Sequence, residues 1–108
     1  MLKDAGVPVS GRVPNPRPAS FIRVSRAGGS RARSVDHMLL LVECWAPTSV
    51  EAEVLAYRAD SILRLAPNHS DVIAQWGGRE GASISDYDDP DVTTQSRWLV
   101  TGTLHCLT

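Results

Sequence analysis

The 108-residue sequence predicts one α+β domain, residues 1–108, in which one principal helix packs on one face of an antiparallel or mixed β-sheet. The first observation is a two-residue hydrophobic period over residues 35–46, which is typical of a long strand. The second is a helical period over residues 48–66, directly after that strand. Shorter alternating segments on both sides give the order β-β-β-α-β-β, with space for a short helical turn before Val7.

The long strand and the helix that follows it form the best-defined part of the pattern. Even positions from residue 38 are all apolar, whereas odd positions are mixed, so one sheet face should be buried and the other partly covered. Pro47 ends the strand, and Thr48 with Glu51 has the spacing of a capping box. Asp60 and Arg64 are spaced for an i, i+4 pair on the polar side. The stripe expected to face the sheet is Ala52, Leu55, Ala59, Ile62 and Ala66.

The segments before the long strand predict an edge strand, a connector and a hairpin. Residues 9–13 alternate as in a short edge strand, and three prolines within residues 14–18 favour a rigid connector. Residues 21–26 alternate again and should pair with the long strand across a mobile, basic loop of residues 27–34. Gly28 and Gly29 lie outside any phosphate-binding glycine frame, so we interpret them as a turn.

Two further strands are predicted after the helix. Residues 71–76 have the composition of a short strand, and residues 77–95, rich in Gly, Ser and Asp, predict an irregular excursion that ends in an acidic cluster. Residues 97–107 alternate over a full strand length. The inward row of this last strand is expected to be Trp98, Val100, Gly102, Leu104 and Cys106.

Composition favours a soluble protein that assembles in a cytoplasm. No apolar run approaches the roughly 20 residues of a membrane span, and the start of the chain lacks the apolar core of a secretory signal. Cys44 and Cys106 show no metal-ligand spacing and fall on inward rows, which predicts buried free thiols.

Charge is divided unevenly along the chain. Residues 1–34 carry seven basic side chains against one acid, and residues 35–108 carry four arginines against eleven acids. Three interpretations are open: contact with nucleic acid, pairing within the chain, or a subunit whose basic face meets the acidic face of a copy or partner. Only Phe21 lies among the arginines, whereas single-strand binding normally uses several exposed aromatic side chains.

The sequence does not predict an enzyme, a metal site or a cofactor. The acidic cluster lacks the glycine and distal glutamate of an EF-hand, which favours a turn. His37 and His105 would meet if the two long strands were adjacent, yet such a pair supplies only half a metal site. No nucleophile elbow of the GxSxG type accompanies Asp36 and His37, so these two residues do not indicate a hydrolase triad. We therefore expect no catalytic, metal-binding or cofactor-binding residues.

Several segments, in their order, resemble one family of viral structural proteins. They are VPVSGRVPNPRPASFIRVSRAGG, VECWAPTSVEAEVLA, and an Asp-Pro turn that leads into an Arg-aromatic final strand, DDPDVTTQSRWLVTGTLHC. Together they resemble the tail terminator proteins of long-tailed actinobacteriophages, over nearly the whole chain. The most specific parts are residues 12–18 before a strand and residues 43–46 before a capped, alanine-rich helix.

The resemblance implies a fold similar to the lambda-type tail terminator and a structural role in the virion. Such proteins form a hexameric ring at the head-proximal end of the tail tube, stop its polymerisation and offer the surface that joins the head. The implied partners are copies of the chain, the tail tube protein below and a head-tail stopper above, while genomic DNA passes through the lumen without sequence-specific binding. The expected location is the virion neck, after assembly in the host cytoplasm, with no membrane contact.

Two alternative functions stay open from the sequence, together with a set of expected interface residues. A head-tail stopper or adaptor belongs to the same structural class, and a small nucleic-acid-binding regulator is compatible with the arginine count. In a ring, the apolar side chains on the mixed row of the long strand and the charged loops should meet a neighbour or the tube. The expected interface residues are Arg17, Arg23, Arg26, Arg31, Arg33, Leu39, Leu41, Trp45, Asp86, Asp88, Asp89 and Asp91.

Overall fold

The computed structural model describes residues 2–77 and 81–108 and confirms the predicted α+β class. One main helix packs on one face of a six-stranded sheet. Short 3-10 turns cover Leu2–Ala5 and Ala66–Asn68. The remaining elements are β1 (Val9–Ser10), β2 (Phe21–Arg31), β3 (Val35–Ala46), α1 (Ser49–Leu65), β4 (Ile73–Trp76), β5 (Ser83–Asp86) and β6 (Ser96–Leu107).

The sheet is built around the two 12-residue strands, β3 and β6. They pair antiparallel along their whole length, from Val35 opposite Leu107 to Ala46 opposite Ser96. β2 and then β1 lie on the other side of β3, while β4 and β5 both pair with the far side of β6. Because β1 runs parallel to β2 and all other pairs are antiparallel, the sheet is mixed.

The helix begins as predicted and buries Ala52, Leu55 and Ala59 of the expected stripe, but Leu63 is buried where Ile62 was expected, and Ile62 is only partly buried. The hydroxyl of Thr48 accepts a hydrogen bond from the amide of Glu51 at 3.2 Å, which satisfies one of the free donors of the first turn. Asp60 pairs with Arg64 at 2.9 Å, as its spacing indicates. The expectation that Asp60 lies on the polar side of the helix is wrong, however. Its carboxylate is only 4% exposed and accepts a hydrogen bond from the Trp76 indole at 2.9 Å.

The prediction of a loop over residues 27–34 is also wrong. β2 continues to Arg31, and only residues 32–34 form the turn. The register shifts between Arg26 and Gly28, which marks a bulge, and both glycines take positive φ angles that other residues rarely adopt. A Cβ at Gly29 would lie 1.9 Å from the carbonyl oxygen of His37. These glycines therefore allow a strand to continue where we expected a turn.

The excursion expected over residues 77–95 contains β5, a strand that the pattern did not predict. Residues 78–80 of that excursion lie outside the described residues. In β5 only Ile84 is apolar, so the segment shows no alternation, yet Ile84 pairs with buried Val100 of β6. β1 is shorter than the predicted strand of residues 9–13, and β4 starts at Ile73 instead of Asp71.

The core lies between α1 and the even-numbered row of β3. Ile22, Val42, Cys44, Leu63 and Val100 are its largest fully buried members, whereas Phe21 is fully buried against Trp45, outside this core. Both cysteines are free, as predicted, although Cys106 is only partly buried. In the described part of the chain, no helix is long and apolar enough to cross a membrane.

Candidate assembly surfaces

The sheet face turned away from α1, which we call the outer face, is not covered by another helix or sheet of the described residues. It carries the odd-numbered row of β3, where Leu39 and Leu41 are partly exposed. Register places Leu41 between Ser25 of β2 and Thr101 of β6, and Leu99 of β6 opposite Glu43. Three partly exposed leucines thus form a short apolar strip in the middle of this face, which is more apolar surface than solvent contact requires.

Trp45, at the end of that row, is covered by its own chain. It is 3% exposed and stacks on Phe21 with ring centroids 5.8 Å apart. The guanidinium of Arg17 lies 4.6 Å from the Trp45 ring centroid and 5.1 Å from that of Phe21. Arg97 lies 5.1 Å from the same Trp45 ring. Trp45 therefore needs no neighbouring subunit to cover it, contrary to expectation.

The proline connector is fixed above this aromatic pair by Gln95, a residue that the sequence did not single out. The Gln95 side-chain amide donates hydrogen bonds to the carbonyl oxygens of Pro18, at 2.8 Å, and Ala19, at 2.7 Å. Its carbonyl oxygen accepts a hydrogen bond from Nε of Arg17. Arg17 is thus held in place over the rings instead of extending towards a partner.

Glu43 joins two arginines on the outer face and was likewise missed as a site residue. It is 6% exposed and pairs with Arg23 at 2.8 Å and with Arg97 at 3.1 Å. The sequence signal for these partners is a carboxylate in the middle of a hydrophobic strand, because such a group is rarely buried without a cationic partner.

Arg26 is also engaged within the chain. Its guanidinium binds the carboxylate of Asp36 through two hydrogen bonds of 2.9 and 3.0 Å. This bidentate contact lowers the pKa of Asp36 and raises the pKa of Arg26. Arg31 and Arg33 at the hairpin end are exposed, and within the described residues neither forms an ion pair. They are the predicted basic residues best placed to meet a partner.

The acidic cluster is a folded turn with outward-facing carboxylates. Asp88 accepts a hydrogen bond from the amide of Arg97 at 3.0 Å, and Asp89 accepts one from the amide of Asp91 at 2.9 Å. Asp86, Asp88 and Asp91 are exposed, and Asp89 is partly exposed. Among the described residues, no group of three or more His, Cys, Asp or Glu side chains is arranged to hold a metal ion.

The two edges of the sheet carry opposite charge, and the charged residues extend in opposite directions from one row of paired residues. Register places Val9, Ile22, Cys44, Trp98 and Asp86 in a single row across β1, β2, β3, β6 and β5. Exposed Arg12 follows the strand at one end of this row. The acidic cluster follows the strand at the other end. In the described residues neither edge is paired further outward, so each presents free backbone donors and acceptors.

An exposed apolar stripe on α1 was not predicted. Val50, Val54, Tyr57 and Leu65 are 51–71% exposed and lie on the side opposite to the buried alanines. The first two line a groove of about 440 Å³ together with Val7 and Arg58. The i, i+4, i+7 spacing of Val50, Val54 and Tyr57 is the sequence signal for this second stripe.

The predicted meeting of His37 and His105 on the outer face is confirmed. Their Nδ1 atoms are 2.6 Å apart, and the rings are at 77° to each other. Both side chains are partly exposed.

Comparison with known proteins gives no family for these surfaces. A scan against models of protein families matches none of them. A search of curated proteins finds no significant similarity. The chain is thus assigned to the α+β class by its fold, and its function is inferred from the surfaces described above.

Proposed function

We propose that the protein is a structural virion protein, a phage tail terminator. Six copies form a ring that caps the head-proximal end of the tail tube, stops its polymerisation and provides the head-joining surface. The proposal is supported by the order of motifs, from the proline connector to the Arg-aromatic final strand. The α+β fold, with one helix on one face of the sheet, is compatible with it.

The observation that carries the proposal is the opposite charge of the two free sheet edges. A ring closes through head-to-tail contacts, in which one surface of a subunit meets a different surface of the next. Here one free edge of the sheet ends in basic Arg12 and the other carries Asp86 and the acidic cluster, so head-to-tail contact between two copies can bring unlike edges together. Complementary charge favours contact between unlike edges and disfavours contact between like edges.

The engagement of the arginines favours a subunit over a nucleic-acid-binding regulator. Arg17 lies over aromatic rings, while Arg23 and Arg26 bind carboxylates of the same chain. Phe21, the aromatic residue among them, is fully buried and offers no stacking platform. Much of the basic charge of residues 1–34 is therefore committed to the fold.

The ring would contact the tail tube protein on one side and a head-tail stopper on the other, with genomic DNA passing through the lumen. The outer-face leucines and the exposed helix stripe are apolar surfaces suited to such contacts. A lumen that lets DNA slide should avoid dense positive charge. The location that this proposal implies is the virion neck, after assembly in the host cytoplasm.

The test is assembly with the tube protein of the phage that encodes the chain. Light scattering and negative-stain microscopy should show rings, alone or on tube ends, and tubes of limited length. Charge reversal by Arg12→Glu should prevent rings, and adding Asp86→Arg to that variant should restore them. Asp4→Arg, which reverses the charge of an exposed acid in the Leu2–Ala5 turn against α1, is the matched control.

Three results would contradict the proposal. Unlimited tube growth beside a monomeric chain would exclude a terminator. Rings that bind the portal side without limiting tube length would indicate a stopper. Tight DNA binding with a steep dependence on salt would indicate a regulator.

A further inference from the structure

The pairing of β3 with β6 places two imidazoles directly opposite each other on the outer face. His37 and His105 are register partners, and their Nδ1 atoms lie 2.6 Å apart. At this separation one ring carries hydrogen on Nδ1 and donates it to the lone pair of the other. The two Nδ1 atoms therefore face each other across the β3–β6 pair.

We propose that His37 and His105 form a two-histidine site for a divalent transition-metal ion of the Ni²⁺ and Cu²⁺ class. Imidazole nitrogen is a preferred ligand of these ions. With metal-nitrogen bonds of about 2.0–2.1 Å, two ligands at 90° are about 2.9 Å apart, whereas tetrahedral ligands are about 3.3 Å apart. The observed 2.6 Å is closer to the first value, so square-planar or octahedral ions fit with less strand movement than tetrahedral Zn²⁺.

The scaffold holds the two rings in place before any ion binds. Each histidine lies within a 12-residue strand, and the strands are paired on both sides of the site. Ser30 of β2 is the register partner of His37, and Gln75 of β4 is that of His105. The flanking positions are thus neutral and polar, which leaves the other coordination positions of the ion to water.

Binding requires both Nδ1 lone pairs. The ring that carries hydrogen on Nδ1 must move it to Nε2, and any proton held by a charged imidazole is released. The two-histidine site depends on the β3–β6 pairing alone, so a test of metal binding is independent of whether the protein forms a subunit ring.

The test is a calorimetric titration of the full, untagged chain with Ni²⁺, in excess Mg²⁺ to occupy exposed carboxylates. We expect one ion per chain, and a loss of affinity of at least about tenfold in His37→Asn and in His105→Asn. His69→Asn is the matched control, because His69 is exposed and lies between α1 and β4, outside the two strands that carry the pair. This control should bind Ni²⁺ as the unmodified chain does.

A second measurement needs no variant and covers the case in which the substitutions disturb folding. Paramagnetic Ni²⁺ should broaden the ring resonances of His37 and His105 in the NMR spectrum of the unmodified chain and leave those of His69 sharp. The absence of saturable binding would overturn the proposal. Equal loss of affinity in His69→Asn, or broadening that spares the pair, would also overturn it.

Discussion

The indole of Trp76 donates a hydrogen bond from Nε1 to Oδ1 of Asp60 at 2.9 Å, which joins β4 to the middle of α1. Asp60 also accepts a contact from Nε of Arg64 at 2.9 Å. The same indole lies over Gly102 of β6, where an added Cβ would be 2.9 Å from two of its ring atoms. A carboxylate, an indole and a glycine thus fix the helix, the short strand and the long strand to one another.

Removal of the Asp60 carboxylate should destabilise the fold. Asp60→Ala leaves the indole N–H of Trp76 without an acceptor in a buried position, so the free energy of unfolding should fall by about 2–3 kcal/mol. Asp60→Asn keeps an acceptor and should cost about 1 kcal/mol. Urea unfolding measures both values, with exposed Ser61→Ala as the control. An equal loss in the Ala and Asn variants would show that the hydrogen bond is not the cause.

Glu43 should stabilise the outer face through its two arginines. Glu43→Ala removes the shared partner of Arg23 and Arg97, but both guanidinium groups keep some access to water. We therefore expect a loss of about 1–3 kcal/mol, below the full cost of breaking a buried pair. A double-mutant cycle with Arg97→Ala should give a coupling of at least about 0.5 kcal/mol. Strict additivity would contradict the contact.

Cys44 should be inert to thiol reagents in the native protein. Burial raises the pKa of its thiol to about 12, so almost no thiolate is present near neutral pH. In a Cys106→Ala background, iodoacetamide should modify the chain only after denaturant is added. Rapid native labelling would show that the strand opens locally.

The same thiol should make the fold less stable at high pH. The unfolded thiol titrates near 9.0 and the folded one at about 12, so unfolding releases a proton between these values. The stabilisation is complete below about pH 9 and is lost as pH rises towards 12, with a slope of up to about 1.4 kcal/mol per pH unit. Cys44→Ala should flatten the dependence of unfolding free energy on pH above 9. An unchanged slope would contradict this assignment.

The hairpin end should act in assembly and not in folding. Arg31 and Arg33 are exposed, so replacing both with alanine should change the free energy of unfolding by less than about 0.5 kcal/mol. In a phage assembly assay, we expect altered tail lengths or reduced head attachment. Normal tails with normal attachment would remove these arginines from the set of contact residues.

The central elements could be predicted from sequence because each has a strong period of its own. β3, α1 and β6 carry long, regular hydrophobic patterns. β5 could not be predicted, because Ile84 is its one apolar residue and its position depends on pairing with β6. The extension of β2 was missed for a related reason: Gly28 and Gly29 signal a turn when read locally, while the bulge they form depends on β3.

The candidate surfaces were predicted in part. Leu39 and Leu41 lie partly exposed on the outer face, as their row indicated, whereas Trp45 is buried under Arg17 of the proline connector. No local sequence pattern predicts a contact between residues so far apart in the chain. The ion pairs of Glu43 and the hydrogen bonds of Gln95 to the proline connector could not be predicted for the same reason.

The full-length pairing of β3 with β6 also constrains how the chain folds as it is made. Val35 pairs with Leu107, so the centre of the sheet closes only after the last strand has left the ribosome. Until then β3 exposes one long unpaired edge next to a finished helix, and that edge is open to pairing with another chain. We expect translation stalled before residue 96 to yield a chaperone-bound, aggregation-prone chain.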